Sequence, residues 1–419
     1  MLANLATPIL AMTDAAILGH LPNVSFLAAL SIGTGIFSYI LWGFNCISLS
    51  CSTFTGNANA SNDAQLINNR LYQYGFIALI TSIFLFVILQ FSINPLLSLI
   101  NLSDTLKPHV STYLKIMSFC IMPLLFIQVS IAWFTGIKQP KIALYVLLIS
   151  SSINIILDFV FVFVFNMNIN GVALASVIAQ YTSALFVILF ILNYQKTKLS
   201  NNKVNLLLWL NNEKVFSFGG TLLLRSGVLL SVFLMFNLKG AAIGESTLAA
   251  NALLMTILIL ISNVLDATAS SAQVQIAHNS YTQSMAKSHE QYAILSSTFF
   301  IMCLFVLGFV CSIFMIGQYY LALMSNQANV VALALQYLPW MALLCLTSCS
   351  SYWLDGVFLG WQKSNWMRNS VLFSACLVYF PLLFSFELSN HQLWLCLNIF
   401  MLLRSGCMWL YFIKKLKLS

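Results

Sequence analysis

Charge is what this sequence has least of. Charged side chains make up 7% of its 419 residues, against about 25% in a soluble domain, and that deficit excludes a water-soluble globular protein. Acid is scarcer than base, with 10 Asp and Glu against 18 Lys and Arg. Catalytic and metal-binding patterns are missing too. The ten cysteines are spread singly, with no C-x-x-C pair and no histidine at ligand spacing. That argues against a zinc site or a disulfide framework and leaves small buried hydrophobes. Cys345 and Cys349, one turn apart, are too little to hold a metal. His20, His109, His278, His289 and His391 stand alone, away from any nucleophile. The G-T-G at 33–35 lies within an apolar run and no Lys-Ser/Thr follows it, so it is not a phosphate loop. The opening "MLANLATPIL" lacks the basic region of a cleavable signal peptide and runs straight into a spanning pattern. We therefore expect no enzymatic activity, no metal and no organic cofactor.

What the sequence has in abundance is apolar length. Hydrophobic residues make up 60% of it, in runs of about 20 residues, each long enough to cross a bilayer as a helix. About twelve such runs can be marked, near 1–19, 26–54, 72–99, 112–136, 142–165, 170–194, 215–238, 246–276, 291–323, 331–360, 367–387 and 391–413. Lipid offers backbone groups no hydrogen-bond partner, so these runs must be helices. The expected fold class is an all-α integral membrane protein.

The net charge of +8 is a topology signal. Of the 18 basic residues, 13 lie in alternate connections and the C-terminal tail, while the opposite connections hold only Lys107 and Lys239. The positive-inside rule then puts both termini in the cytoplasm. A nucleic-acid partner is not expected; the lipid bilayer is.

The longest polar interruption, "NYQKTKLSNNKVNLLLWLNNEK" at 193–214, divides the chain into an N-terminal six-helix lobe (1–194), a cytoplasmic linker (195–214) and a C-terminal six-helix lobe (215–419). The halves look related. "FTGIKQPKIAL" and "FLGWQKSNWMR" place Gly136 and Gly360 224 residues apart, and "FLAAL" and "TLAAN" recur at an offset of about 221. A repeated bundle with its path at the repeat interface is a common plan for secondary transporters.

Four acids fall inside spans: Asp14, Asp158, Asp266 and Asp355. A charge at a helix centre costs about 2.5–3.5 kcal/mol on insertion scales, which makes each a functional candidate. In "NIILDFVFVF", Asn154 and Asp158 are four residues apart and share a helix face. An amide beside a carboxylate in low dielectric can bond its neutral form or help coordinate a cation, and a neighbouring acid such as Asp14 would favour proton loading. Arg225 and Arg404 are the buried cations, each a counter-ion candidate for Asp266 or Asp355. Pro8, Pro123 and Pro339 interrupt spans.

The stretch "NLATPILAMTDAAILGHL" resembles the first-helix signature of the multidrug and toxic compound extrusion (MATE) transporters, DinF branch. "NIILDFVFVF", "GVALASVIAQ" and "LDGVFLG" are similar to that family's fifth-, sixth- and tenth-helix motifs, and "LDATASSAQ" is a weaker echo of its eighth. The resemblance implies twelve helices in two six-helix lobes and export of amphipathic, often cationic molecules in exchange for H+, with Na+ as the alternative ion. It implies a monomer in a bacterial inner membrane. It also implies that Asp14, Asn154, Asp158 and Ser176 form the coupling site. Arg225, Asp266, Gln273, Asp355 and Arg404 are the candidates for a C-lobe cavity or ion pair. The chain departs from the pattern in places. It begins later than the family's first helix, Gln273 stands where the family has glutamate, and Ala267 stands where it has glycine. A flippase of lipid-linked precursors and a truncated, non-transporting relative are the alternatives.

Overall fold

The computed structural model of the chain describes residues 24–99, 106–198, 213–279, 286–324, 328–385 and 388–418. Every regular element among them is helical. Eleven of the helical stretches are long and apolar enough to cross a membrane, from Ile32–Ala60 to Asn390–Lys414. The remaining expected span, 1–19, lies outside the described residues.

The molecule also has the surface of a membrane protein. Phe91, Met315, Tyr319 and Leu323 are 81%, 76%, 75% and 82% exposed, while Asp158, Asn154 and Arg404 are 0%, 1% and 3% exposed. Such an inversion is stable only where lipid is the solvent for the outer face.

The chain forms two compact units that divide between Glu213 and Lys214. The first contains α1 (Val24–Gly43), α2 (Cys46–Ala60), α3 (Ala64–Leu99), α4 (Leu106–Met117), α5 (Ile121–Gly136), α6 (Pro140–Phe159) and α7 (Asn168–Lys198). A 3-10 turn, Ser118–Cys120, joins α4 to α5. It absorbs the break that Pro123, lacking an N–H, would otherwise force on the span. The second unit contains α8 (Glu213–Ile243), α9 (Glu245–Asn279), α10 (Ala286–Met324), α11 (Ala328–Gly360), α12 (Ser364–Leu372), α13 (Phe380–Ser385) and α14 (Asn390–Leu418). Among the described residues two wide-turn π segments occur, Val160–Val164 closing the span that α6 begins and Phe373–Tyr379 joining α12 to α13.

The duplicated offsets have a structural counterpart. In the first unit a Cβ on Gly136 would lie 2.8 Å from Thr55 Cβ and 3.0 Å from the Ser52 carbonyl oxygen. In the second unit a Cβ on Gly360 would lie 2.8 Å from Ile276 Cβ and 2.9 Å from the Gln273 carbonyl oxygen. The glycines are 224 apart and their partners 221 apart, so α2 against α5 and α9 against α11 are the same contact built twice. The turns that follow match as well. Gln139 N–H bonds the Phe134 carbonyl and Lys363 N–H the Phe358 carbonyl, both at 2.8 Å. Lys138 and Gln362 take left-handed φ values of 61° and 57°. This is the Schellman ending of a helix, here with no glycine at the left-handed position.

Small residues set how closely these helices meet. A Cβ on Gly356 would land on the Ala269 carbonyl of α9, 2.8 Å from its carbon, so the G-V-F-L-G run works as a close-packing ridge. Gly356→Ala is expected to push α9 and α11 apart at a cost of about 1–3 kcal/mol, read as a lower thermal midpoint of the detergent-solubilised protein. Gly220→Ala, where nothing lies within 4 Å of the new methyl, should leave the midpoint unchanged or raise it. Equal midpoints for both variants would refute the close approach.

Amide pairing pins another helix pair in the second unit. Asn251 of α9 and Asn390 of α14 donate to each other at 2.8 and 3.0 Å, and Trp394 Nε1 donates to Asn251 Oδ1 at 2.9 Å. All three are buried. In hydrocarbon such groups must satisfy each other.

Arg70, which falls between the expected spans 26–54 and 72–99 and is one of the 13 basic residues assigned to connections, lies inside α3 rather than in a loop. Its guanidinium centre sits 5.3 Å over the Phe54 ring, and Nη1 donates to Gln73 Oε1 at 2.7 Å. At 36 residues, α3 is longer than the roughly 20 needed to span, which is why the helix takes in a position that looks like a loop in sequence.

Candidate functional site

In the first unit the sequence pair is a real pair. Asn154 and Asp158 stack on successive turns of α6, 1% and 0% exposed. The amide orientation that satisfies every partner has Asn154 Nδ2 donating to Asp158 Oδ2 at 3.2 Å. Its Oδ1 then accepts from the Ser176 backbone N–H at 3.1 Å and the Ser176 hydroxyl at 3.3 Å. The opposite orientation would leave Nδ2 donating to the Ser176 hydroxyl alone, and assignment of such amides rests on the network. Ser176 comes from α7, which packs along α6. Gly171, Ala173, Ala175 and Ala179 line α7 there; the three alanines are 0% exposed, and a Cβ on Gly171 would lie 3.1 Å from Phe161 Cβ. The alanine-rich "GVALASVIAQ" is thus a packing stripe that brings the Ser176 hydroxyl to the Asn154 amide. Asp14 lies outside the described residues.

Asp158 is the next-to-last residue of α6, and the π segment begins two residues on at Val160. Phe165 N–H reaches back five residues to the Val160 carbonyl at 3.0 Å. Nothing in "VFVFV" announces this π turn.

The second unit holds a buried ion triad. Asp355 of α11 receives Nη2 of Arg225 from α8 and Nη2 of Arg404 from α14, both on the same oxygen, Oδ2. Arg225, Arg404 and Asp355 are 9%, 3% and 8% exposed. Both arginines therefore choose Asp355. Asp266, the other counter-ion candidate, makes no ion pair among the described residues. It is exposed on α9, within electrostatic reach of Asp355, Arg225 and Arg404. Gln273 is buried further along α9 at the Gly360 contact rather than in the triad. Sequence reasoning passed over Tyr352. It lies three residues before Asp355 on the same helix face, shares a 2.8 Å hydrogen bond with Ser262 of α9, and sits within reach of Asp266. Its i, i+3 spacing to Asp355 was the available signal.

Many secondary transporters are all-helical membrane proteins of repeated bundles with polar clusters inside their spans. Residues 1–160 match the MatE family model. The chain is 25% identical to DNA damage-inducible protein F of Escherichia coli (strain K12) over 403 residues, 96% of this chain and 87% of that protein. Its fold matches the eukaryotic MATE transporter AtDTX14 with a TM-score of 0.89 at 15% identity, covering 98% of this chain and 92% of that one. A MOP superfamily transporter from Pyrococcus furiosus matches with a TM-score of 0.85 at 13% identity, covering 100% and 93%. At those identities the two structural likenesses speak of fold alone. The chain is a multi-pass membrane protein that has the fold of MATE transporters, with residues 1–160 similar to the MatE family.

Proposed function

We propose that the chain is a secondary antiporter that exports amphipathic, often cationic small molecules across a bacterial cytoplasmic membrane in exchange for protons, with sodium the alternative ion. It would act as a monomer with both termini in the cytoplasm. The observation that carries this reading is the Asn154–Asp158–Ser176 cluster, a fully buried carboxylate in a span that accepts from the Asn154 amide, which Ser176 holds in turn. A neutral amide partner steadies the side chain without itself fixing its charge, as a residue that loads and releases a cation requires. Asp14, by family resemblance, is the second acid of the same site. Alternating access then follows if the ion binds one conformation better than the other, since only differential affinity shifts a population.

The test is efflux of a cationic dye, ethidium, from proteoliposomes under an imposed pH gradient, with and without sodium. Wild type is expected to drive efflux and Asp14→Asn to lose it. Sodium-driven efflux would keep the antiporter and change its ion. Wild-type rates in the variant would remove Asp14 from the coupling site. No gradient-dependent movement of dye would overturn the reading in favour of a lipid flippase or a non-transporting chain.

A further inference from the structure

The triad of the second unit is out of balance in a way that points to a ligand. Two guanidiniums meet one carboxylate, and both use the same oxygen of it. Asp355 Oδ1, Arg225 Nε and Arg404 Nε are buried without a hydrogen-bond partner. Arg404 Nη1 has only the Met401 sulfur, at 3.8 Å. A guanidinium presents several N–H donors in a fixed fork suited to planar oxyanions, so the cluster holds unused donors and a local excess of one positive charge. Asp266 is the acid that would balance it, yet it makes no ion pair among the described residues and stands exposed at the edge of the cluster. Buried polar atoms left unpaired call for a physical explanation, and an absent ion or polar group is one.

We propose that Arg225, Asp355 and Arg404 form a site for the anionic group of an amphipathic ligand, a carboxylate, sulfonate or phosphate, and that Asp266 is the internal carboxylate competing with it. The ligand's charged group enters from the accessible Asp266 side and takes the guanidinium donors that Asp355 leaves free. Its apolar body stays in the less polar surroundings. Resting on the transporter reading, this adds an acidic group to the substrate class and gives the two units different roles, with an amide-bonded acid in the first and excess cation in the second.

Binding of naphthalene-2-sulfonate to the purified protein in phosphatidylcholine nanodiscs tests the site, with neutral naphthalene-2-methanol as the matched control. Removing the competing charge with Asp266→Asn, a change at an exposed position, is expected to tighten sulfonate binding about tenfold, equivalent to about 1.4 kcal/mol. The neutral compound should not respond. Arg225→Lys, which keeps the charge and loses the fork, is expected to weaken the sulfonate selectively. Equal sulfonate affinity in wild type and Asp266→Asn, an equal shift for the neutral compound, or no sulfonate binding to either protein would overturn the proposal. Adding phosphatidylglycerol to the discs identifies the bearer of the anion: competition assigns the site to a lipid phosphate, and undiminished binding assigns it to a free amphiphile. Because binding is read without transport, sulfonate binding by a protein that drives no dye efflux keeps this site and removes the antiporter. Efflux without sulfonate binding does the reverse.

Discussion

Asp158→Asn is expected to abolish gradient-driven dye efflux, by about 100-fold or more in rate, while the protein folds as before. Asparagine has the shape of aspartate, and its carbonyl oxygen can accept from Asn154 Nδ2 in place of Asp158 Oδ2. The only property removed is the capacity to be charged, so the variant mimics a site permanently loaded with its proton. Such a protein can still exchange dye for dye across the membrane, a process that needs no turnover of the coupling ion, but it cannot convert a pH gradient into net export. The thermal midpoint should move by less than about 1 kcal/mol of equivalent stability. Asp158→Ala behaves differently, because it leaves the buried Asn154 amide with a donor and no acceptor at a cost of about 1–3 kcal/mol. Proteoliposome efflux, dye counterflow and thermal denaturation together check the set. Undiminished gradient-driven efflux by Asp158→Asn would remove Asp158 from the coupling site.

Asp355→Asn should do the opposite, harming the fold before it harms the transport step. Two guanidiniums meet at one carboxylate oxygen with side chains nearly out of reach of water. Neutralising that carboxylate leaves two like charges buried face to face, and breaking a buried ion pair from one side costs about 3–5 kcal/mol. The expected result is a large fall in thermal midpoint and poor recovery from the membrane. Replacing all three members by apolar residues, Arg225→Met, Asp355→Leu and Arg404→Met, is expected to restore most of the loss, since a well-packed apolar cluster is often as stable as the triad it replaces. The outcome also separates the two acids. A coupling acid would give an asparagine variant that folds normally and fails to transport; if Asp355→Asn does that, Asp355 is not the charge that holds Arg225 and Arg404 in the fold.

The membrane spans were legible because lipid enforces one rule on every span, that all backbone hydrogen bonds be closed within it. Apolar length therefore maps onto helix, and the eleven described spans fall where the runs suggested. The Asn154–Asp158 pair was legible because four residues is one helical turn, a distance that no tertiary contact can alter. Ser176 was placed beside them only through the family resemblance of "GVALASVIAQ", since it stands 22 residues away on another helix. The choice both arginines make was not legible. Arg225, Asp355 and Arg404 lie on three different helices, and either acid would have satisfied the requirement that buried charge be paired. The π turns after Asp158 and around Ser374 were silent as well, because "VFVFV" and "FSACLVY" have the composition of ordinary spanning helix.

Taken alone, the sequence determined that this protein crosses the membrane many times, that short motifs recur at a nearly constant offset between its halves, and that its first half carries a carboxylate beside an amide. Each of those follows from local chemistry: apolar length, a repeated offset, a one-turn spacing. Only tertiary structure decided that the copied contacts at Gly136 and Gly360 bring helices to backbone range, that Asp355 holds both arginines, and that Asp266 remains outside the pairing. Those outcomes depend on which helix faces meet, and residues 49 to 130 positions apart, such as Asp355 with Arg404 and with Arg225, meet only when the whole unit has packed.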